Sequence, residues 1–298
     1  MVLRMGKGGT MKATPENYAK FIREVREKKP DAFFTLFDGG KDFATAFTIA
    51  MIIFERLILP LALKYLDNKL NDKKSLDIGY GSGFQVATAS KYFGESYGID
   101  VHDESKFILQ KLSKETAFGL KMSLTRSPAD NIQYSDNYFD FAHSWVTFLH
   151  FPSLEYTNLA LKEVFRVLKP EGVAVIFYSR LVKTQKKETP KQYAADIKLE
   201  DKHETGFDAR ESLTEVFKKG IGIARWKMTE LVKVIGFDVL EHTSSNDGGF
   251  IYGQHGIVLR KPLIVEPEEE LAEVETTSTT APPMKKIFQR KKTQSKKY

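Results

Sequence analysis

The stretch Ser75-Leu76-Asp77-Ile78-Gly79-Tyr80-Gly81-Ser82-Gly83-Phe84 decides how this chain is read. A short apolar strand runs into Asp-x-Gly-x-Gly-x-Gly, and a helix starts directly after it. Glycines there let the backbone turn sharply and come close to a ligand, and the following helix presents free N–H groups and the positive end of its dipole. A dinucleotide turn of the nicotinamide kind is the competing reading. It wants G-x-G-x-x-G and has no acid two residues ahead of its first glycine, so Gly79, Gly81 and Gly83 alternating behind Asp77 speak against it.

Outward from this turn the texture alternates. Apolar runs predict strands at Ser75–Gly79, Ser96–Asp100, Lys121–Thr125, Phe139–Trp145 and Val173–Ser179, with helices at Phe84–Tyr92, Asp103–Leu112 and Ser153–Leu168 between them. A helix at Ala224–Ile235 and strands at Phe237–His242 and His255–Arg260 follow. This rhythm belongs to an α/β, Rossmann-like doubly wound sheet covered on both faces. Ahead of it, residues 1–70 read as a helical cap. Asn17 to Lys29 is a helix with Tyr18, Phe21 and Val25 on one stripe, Gly39-Gly40 is a turn, and Thr45 to Tyr65 is one or two helices split near Pro60. The polar segment 181–220 is too long for a plain connection and suggests a lid inserted in a domain spanning 71–262.

Further landmarks in order sharpen the reading. Tyr97-Gly98-Ile99-Asp100 is a strand ending in a carboxylate, followed by Ser127-Pro128-Ala129-Asp130, then Asp136-Asn137-Tyr138-Phe139-Asp140, then Arg166-Val167-Leu168-Lys169-Pro170-Glu171-Gly172. With the glycine turn, these resemble the class I S-adenosylmethionine-dependent methyltransferases, and the last resembles the "RVLKPGG" signature of the type 11 subgroup. The resemblance covers roughly residues 72–180. It implies a seven-stranded sheet, mostly parallel with an antiparallel last strand, and S-adenosylmethionine as cofactor. It further implies that Asp77 orients the methionine amine, that Gly79, Gly81 and Gly83 form the cradle, and that Asp100 holds the ribose hydroxyls. Ala129 would offer its N–H to adenine. Pro128 stands where the family often has Asp, so the adenine amino group is read either by Asp130 as a substitute or by backbone alone; Ser144 at the end of the fourth strand completes the set. Asp100 has a second reading as a helix N-cap, and Lys169-Pro170-Glu171-Gly172 is a structural turn in which glycine permits positive φ.

Acceptor chemistry is expected on Ser144-Trp145-Val146-Thr147-Phe148-Leu149-His150-Phe151. His150 is the candidate base, because a neutral imidazole accepts a proton near neutral pH. The run resembles the loop that carries the catalytic histidine of phosphoethanolamine methyltransferases; packing and capping of the next helix is the other reading. Tyr18, Phe21, Phe34 and Phe37 are candidates to cover the cofactor and form the acceptor pocket, although the helical spacing of Tyr18 and Phe21 favours core positions. Arg180 and His203 border the long segment. The loop holds no Asn/Asp-Pro-Pro-aromatic motif of nucleic-acid amino methylation, and no paired carboxylates stand where a metal-dependent enzyme needs them, so no metal is expected.

Composition bounds the rest. The chain has 298 residues, 42% hydrophobic, enough for a real core, and no cysteine, which removes disulfides, thiolate metal sites and covalent C5-pyrimidine methylation. The net charge of +6 is uneven: 266–282 holds six glutamates and no basic residue, while 283–298 holds seven basic residues and no acid. Residues 263–298 therefore read as a disordered acidic-then-basic tail, a solvated extension or an electrostatic anchor for RNA or another acidic surface, and the mild charge of the body gives no reason to expect nucleic acid. The apolar region Ala44–Leu66 is interrupted by Glu55, Arg56 and Pro60, so no membrane span is expected, and a cytoplasmic protein is the default. The expected activity is methyl transfer to an oxygen or nitrogen of a small metabolite, sugar or lipid precursor. A macromolecular methyltransferase anchored by the tail and a non-catalytic cofactor-binding protein are the alternatives; neither acceptor nor oligomeric state is legible.

Overall fold

The computed structural model describes residues 14–116, 119–179, 221–243 and 254–263. The expected lid at 181–220, Arg180, His203 and nearly all of the tail lie outside these residues. Seven strands form one sheet: β1 (Lys74–Ile78), β2 (Glu95–Asp100), β3 (Met122–Arg126), β4 (Phe139–Ser144), β5 (Leu168–Ser179), β6 (Asp238–Thr243) and β7 (Gln254–Arg260). Their order is β3-β2-β1-β4-β5-β7-β6. Pairings from β3 to β5 are parallel, and β7 is antiparallel to both of its neighbours. The chain winds outward from β1 to β3, then returns to β4 on the other side of β1. The carboxyl ends of β1 and β4 therefore diverge into a crevice, the place where open α/β sheets bind ligands.

The central strands read as near-continuous apolar runs because both faces are covered. Phe141, Val173, Val175, Phe177 and Val258 point to one side, against Phe54, Ile58 and Ala62. Ala142, Ile176, Ile257 and Leu259 point to the other, against α7 (Leu154–Val167) and α8 (Arg225–Ile235), the last helix among the described residues. The cap consists of α1 (Pro15–Lys28), α2 (Pro30–Asp38), α3 (Phe43–Ile53) and α4 (Leu59–Tyr65). Phe21, Ile22, Val25, Phe33 and Phe34 from it form one buried cluster with Phe84 of α5 (Phe84–Ala89) and with Ile108 and Leu112 of α6 (Ser105–Glu115). Each buried phenylalanine is worth about 1.5–3 kcal/mol, so this cluster docks α1 and α2 on the sheet domain. Polar links reinforce it, with Arg26 Nε 2.7 Å from Glu104 and Arg23 3.0 Å from Asp103.

Two sequence expectations change. The helix expected to split near Pro60 does not: a π-helical turn, Phe54–Ile58, widens the backbone just before the proline, and α4 continues from it. Such a turn accommodates the missing N–H and the ring clash that an α-helix could not. Helix therefore runs from Phe43 to Tyr65 without a break at the proline; the segment Pro30–Tyr65 is long and apolar enough by length and composition to cross a membrane, while its Ile53, Phe54 and Ile58 are buried in the domain. The turn at Lys169–Gly172 is a bulged part of β5, and its positive φ of 63° falls on Glu171 rather than Gly172. Gly172 is there for space, since a Cβ would lie 2.7 Å from the Lys169 carbonyl oxygen.

Gly98 in β2 has the same role beneath the glycine turn. A Cβ there would meet Tyr80 and Val86 at 2.8 Å and Leu124 at 2.9 Å. Gly98→Ala should therefore lower unfolding free energy by about 1–3 kcal/mol, the usual cost of overpacking, in urea titrations; an unchanged midpoint would show that this layer yields.

Candidate functional site

The turn after β1 is built as its spacing suggests. Gly79, Gly81 and Gly83 have φ of 84°, 49° and 77°, in the left-handed region that penalises side chains. Space is the second constraint: a Cβ on Gly79 would collide with the side chain of Thr147, and one on Gly81 would lie 2.8 Å from the Phe37 ring. The Gly81 amide donates to Asp100 Oδ2 at 3.0 Å, and those of Gly79 and Tyr80 donate to the Ile99 carbonyl at 2.8 and 3.1 Å. Asp100 is not a helix cap; Glu104 holds that position.

His102 locks the turn from below, and sequence reading missed it. It is fully buried; the Glu104 amide donates to its Nδ1 at 3.3 Å, so the ring hydrogen sits on Nε2, which donates to the Gly81 carbonyl at 3.0 Å. The tautomer follows from Nδ1 having to accept.

Above the turn opens a cavity continuous with solvent. Asp77, Gly79, Gly81, Asp100 and Ala129 all line it, and so does His150 on the 3₁₀ turn Phe148–His150. Tyr18 and Phe37 of the cap line it too, whereas Phe21 and Phe34 are core. Three expected residues do not line it. Ser144 is fully buried and its Oγ donates to the Ile78 carbonyl at 2.9 Å, stitching β4 to β1. Gly83 packs under the turn against Ile108 and Leu124. Asp130 stands beside the Tyr156 phenol, which burial and this carboxylate together push up; Tyr156 itself lines the cavity. After residues outside the described set, Ile221 donates to the Leu149 carbonyl at 3.1 Å, next to His150.

The charges in the cavity are unbalanced. Asp77 is 3% exposed, and burial, then Asp100, then Asp38 push its carboxyl well above the usual range. Asp38, at the end of α2, also lines the cavity and accepts from the Ser82 hydroxyl. Nothing in the sequence motif marked it; only the docking of the cap brings it here. On the far side of Asp77 lies His143 of β4, its strand-register partner. Its Nδ1 is 3.5 Å from Asp77, neither ring nitrogen has a hydrogen-bond partner among the described residues, and burial drives its pKa down to about 3. His143 is thus neutral and offers Asp77 no compensating charge.

Comparison with known proteins agrees with this geometry. Residues 76–176 match the family model described as a methyltransferase domain. No curated protein matches. Among solved structures, the cyclase SpnF superimposes with a TM-score of 0.54 at 15% identity, covering 86% of this chain and 100% of its own. A SAM-dependent methyltransferase from Methanosarcina mazei gives 0.51 at 21% identity, covering 66% and 97%. A putative sarcosine dimethylglycine methyltransferase from Galdieria sulphuraria gives 0.52 at 18%, covering 80% and 98%. At these identities the likeness is one of fold.

Because Asp77 keeps its proton in the folded chain to higher pH than in the unfolded chain, it favours the folded state at low pH. That advantage is lost as pH rises from the ordinary value of 3.8 toward the raised one. Between about 3 and 6.5 His143 works in the opposite sense, since only the unfolded chain takes up its proton. Asp77→Asn removes the first effect alone. The ligand-free variant should melt higher than wild type at pH 8, with the gap shrinking toward pH 4; a gap independent of pH would refute the electrostatic account.

Proposed function

We propose that this chain, whose residues 76–176 match a methyltransferase domain, uses S-adenosylmethionine to transfer a methyl group to an oxygen or nitrogen of a small metabolite, sugar or lipid precursor. The observation that carries the reading is that the glycine turn, Asp100 and His150 line one and the same cavity. The residues fit the cofactor. Asp77, a desolvated carboxylate facing the cavity, calls for a cation, and Asp100 spends one lone pair of Oδ2 on Gly81 and keeps acceptor capacity for ribose hydroxyls. When bound, S-adenosylmethionine supplies an electrophilic methyl group on a sulfonium.

The protein then has to align the acceptor and exclude water, because in-line displacement gains mainly from orientation. Trp145, Phe151 and Tyr156 give the cavity an apolar wall. His150 is assigned the base: its imidazole would take the acceptor's proton as the new bond forms. The three carboxylates of the wall, Asp38, Asp77 and Asp100, favour neutral or cationic acceptors over anionic ones. One structural neighbour is a cyclase, so the reading rests on the residues of the cavity and not on the fold alone.

With methyl-labelled S-adenosylmethionine and a metabolite extract, wild type should label a small acceptor. His150→Ala should lower turnover on it about a hundred- to ten-thousand-fold, the usual worth of a general base, with cofactor affinity unchanged. Full activity in that variant would remove His150 from the chemistry. Deleting residues 263–298 should leave small-molecule turnover intact; loss of turnover together with its salt dependence would favour a macromolecular acceptor held by the basic tail.

A further inference from the structure

We infer that Asp38, contributed by the cap and not by the glycine motif, is a second carboxylate ligand for the ammonium group of the cofactor, sharing it with Asp77. This rests on the reading of the cavity as an S-adenosylmethionine site.

Three observations converge. Asp38 lines the same cavity as Asp77 and Asp100. It is fixed there: its carboxylate accepts from Ser82 in the glycine turn, while the neighbouring Phe37 ring fills the space in front of Gly81. It also lies near enough to Asp77 to oppose ionisation of that group.

The chemistry of the ligand chooses among its parts. A carboxylate is an acceptor only, so it seeks an N–H or O–H donor. Adenine and ribose are neutral, and the sulfonium is cationic but carries no hydrogen on sulfur. The methionyl ammonium carries both the charge and three donors, so one group can satisfy Asp77 and Asp38 together. Two like charges held close in a desolvated place are unfavourable alone and become favourable around a shared cation. The ligand's own carboxylate would be repelled by Asp38, which gives the test a sign.

The test compares two thioethers that differ at the amino-acid end, S-adenosylhomocysteine and 5′-methylthioadenosine, by calorimetry on the full chain. Asp38→Asn should weaken S-adenosylhomocysteine about ten- to a hundredfold, the worth of one charge-assisted hydrogen bond, and leave 5′-methylthioadenosine within twofold. Ser82→Ala removes the anchor of the Asp38 carboxylate and should weaken S-adenosylhomocysteine more than 5′-methylthioadenosine, which covers the case of an Asp38→Asn chain that does not fold; an equal effect on both ligands would count against the inference. Equal loss on both ligands would make Asp38 a prop for the turn and overturn the inference, as would unchanged or tighter binding of S-adenosylhomocysteine. If wild type binds neither compound, it is the cofactor reading itself that falls.

Discussion

The Gly81 amide donating to Asp100 is the link on which the site depends. It joins the ends of two neighbouring parallel strands, 19 residues apart in the chain, and it requires a backbone that only glycine adopts readily at that φ. His102 holds the same residue through its carbonyl, in the next peptide unit. With the amide and the carbonyl of Gly81 both engaged, the turn is fixed on two sides, and the side chains around it face the cavity as a consequence rather than as separate arrangements. The sheet supplies the rest: β1 and β4 diverge because the winding reverses between them, and the crevice lies over the turn.

The cavity is a place of stored electrostatic cost. Asp77 sits in it desolvated, with two other carboxylates acting on it and an uncharged histidine behind. A fold selected for stability alone would not keep such a group. Binding a cation converts the cost into affinity, the kind of exchange by which functional sites are distinguished from cores.

Much of this was legible in the sequence because it is local. The strand–turn–helix at Asp77–Phe84 and the alternating elements to Ser179 depend on periodicity and on glycine positions, and both survive into three dimensions. Asp77, Asp100 and Ala129 reach the cavity because each stands at a strand end or just past one, where the topology puts it. What escaped depends on contacts between distant segments. Asp38 matters only once α2 docks, His102 looks like a solvated loop residue until the Gly81 carbonyl is above it, and His143 reads as any polar residue in an alternating strand. Ser144 shows the opposite error: a hydroxyl at a strand end looks available for a ligand, yet the adjacent Ile78 carbonyl uses it. Pro60 misled for a related reason, since propensity speaks of α-helix and the chain used a wider turn.

The Phe37 ring occupies the volume that a side chain at position 81 would need, and Thr147 does the same for position 79. Neither glycine is therefore free to drift on its own. Among descendants of this sequence, a residue with a side chain at 81 would have to arrive with a smaller one at 37, so the cap helices and the glycine turn are bound to a common inheritance.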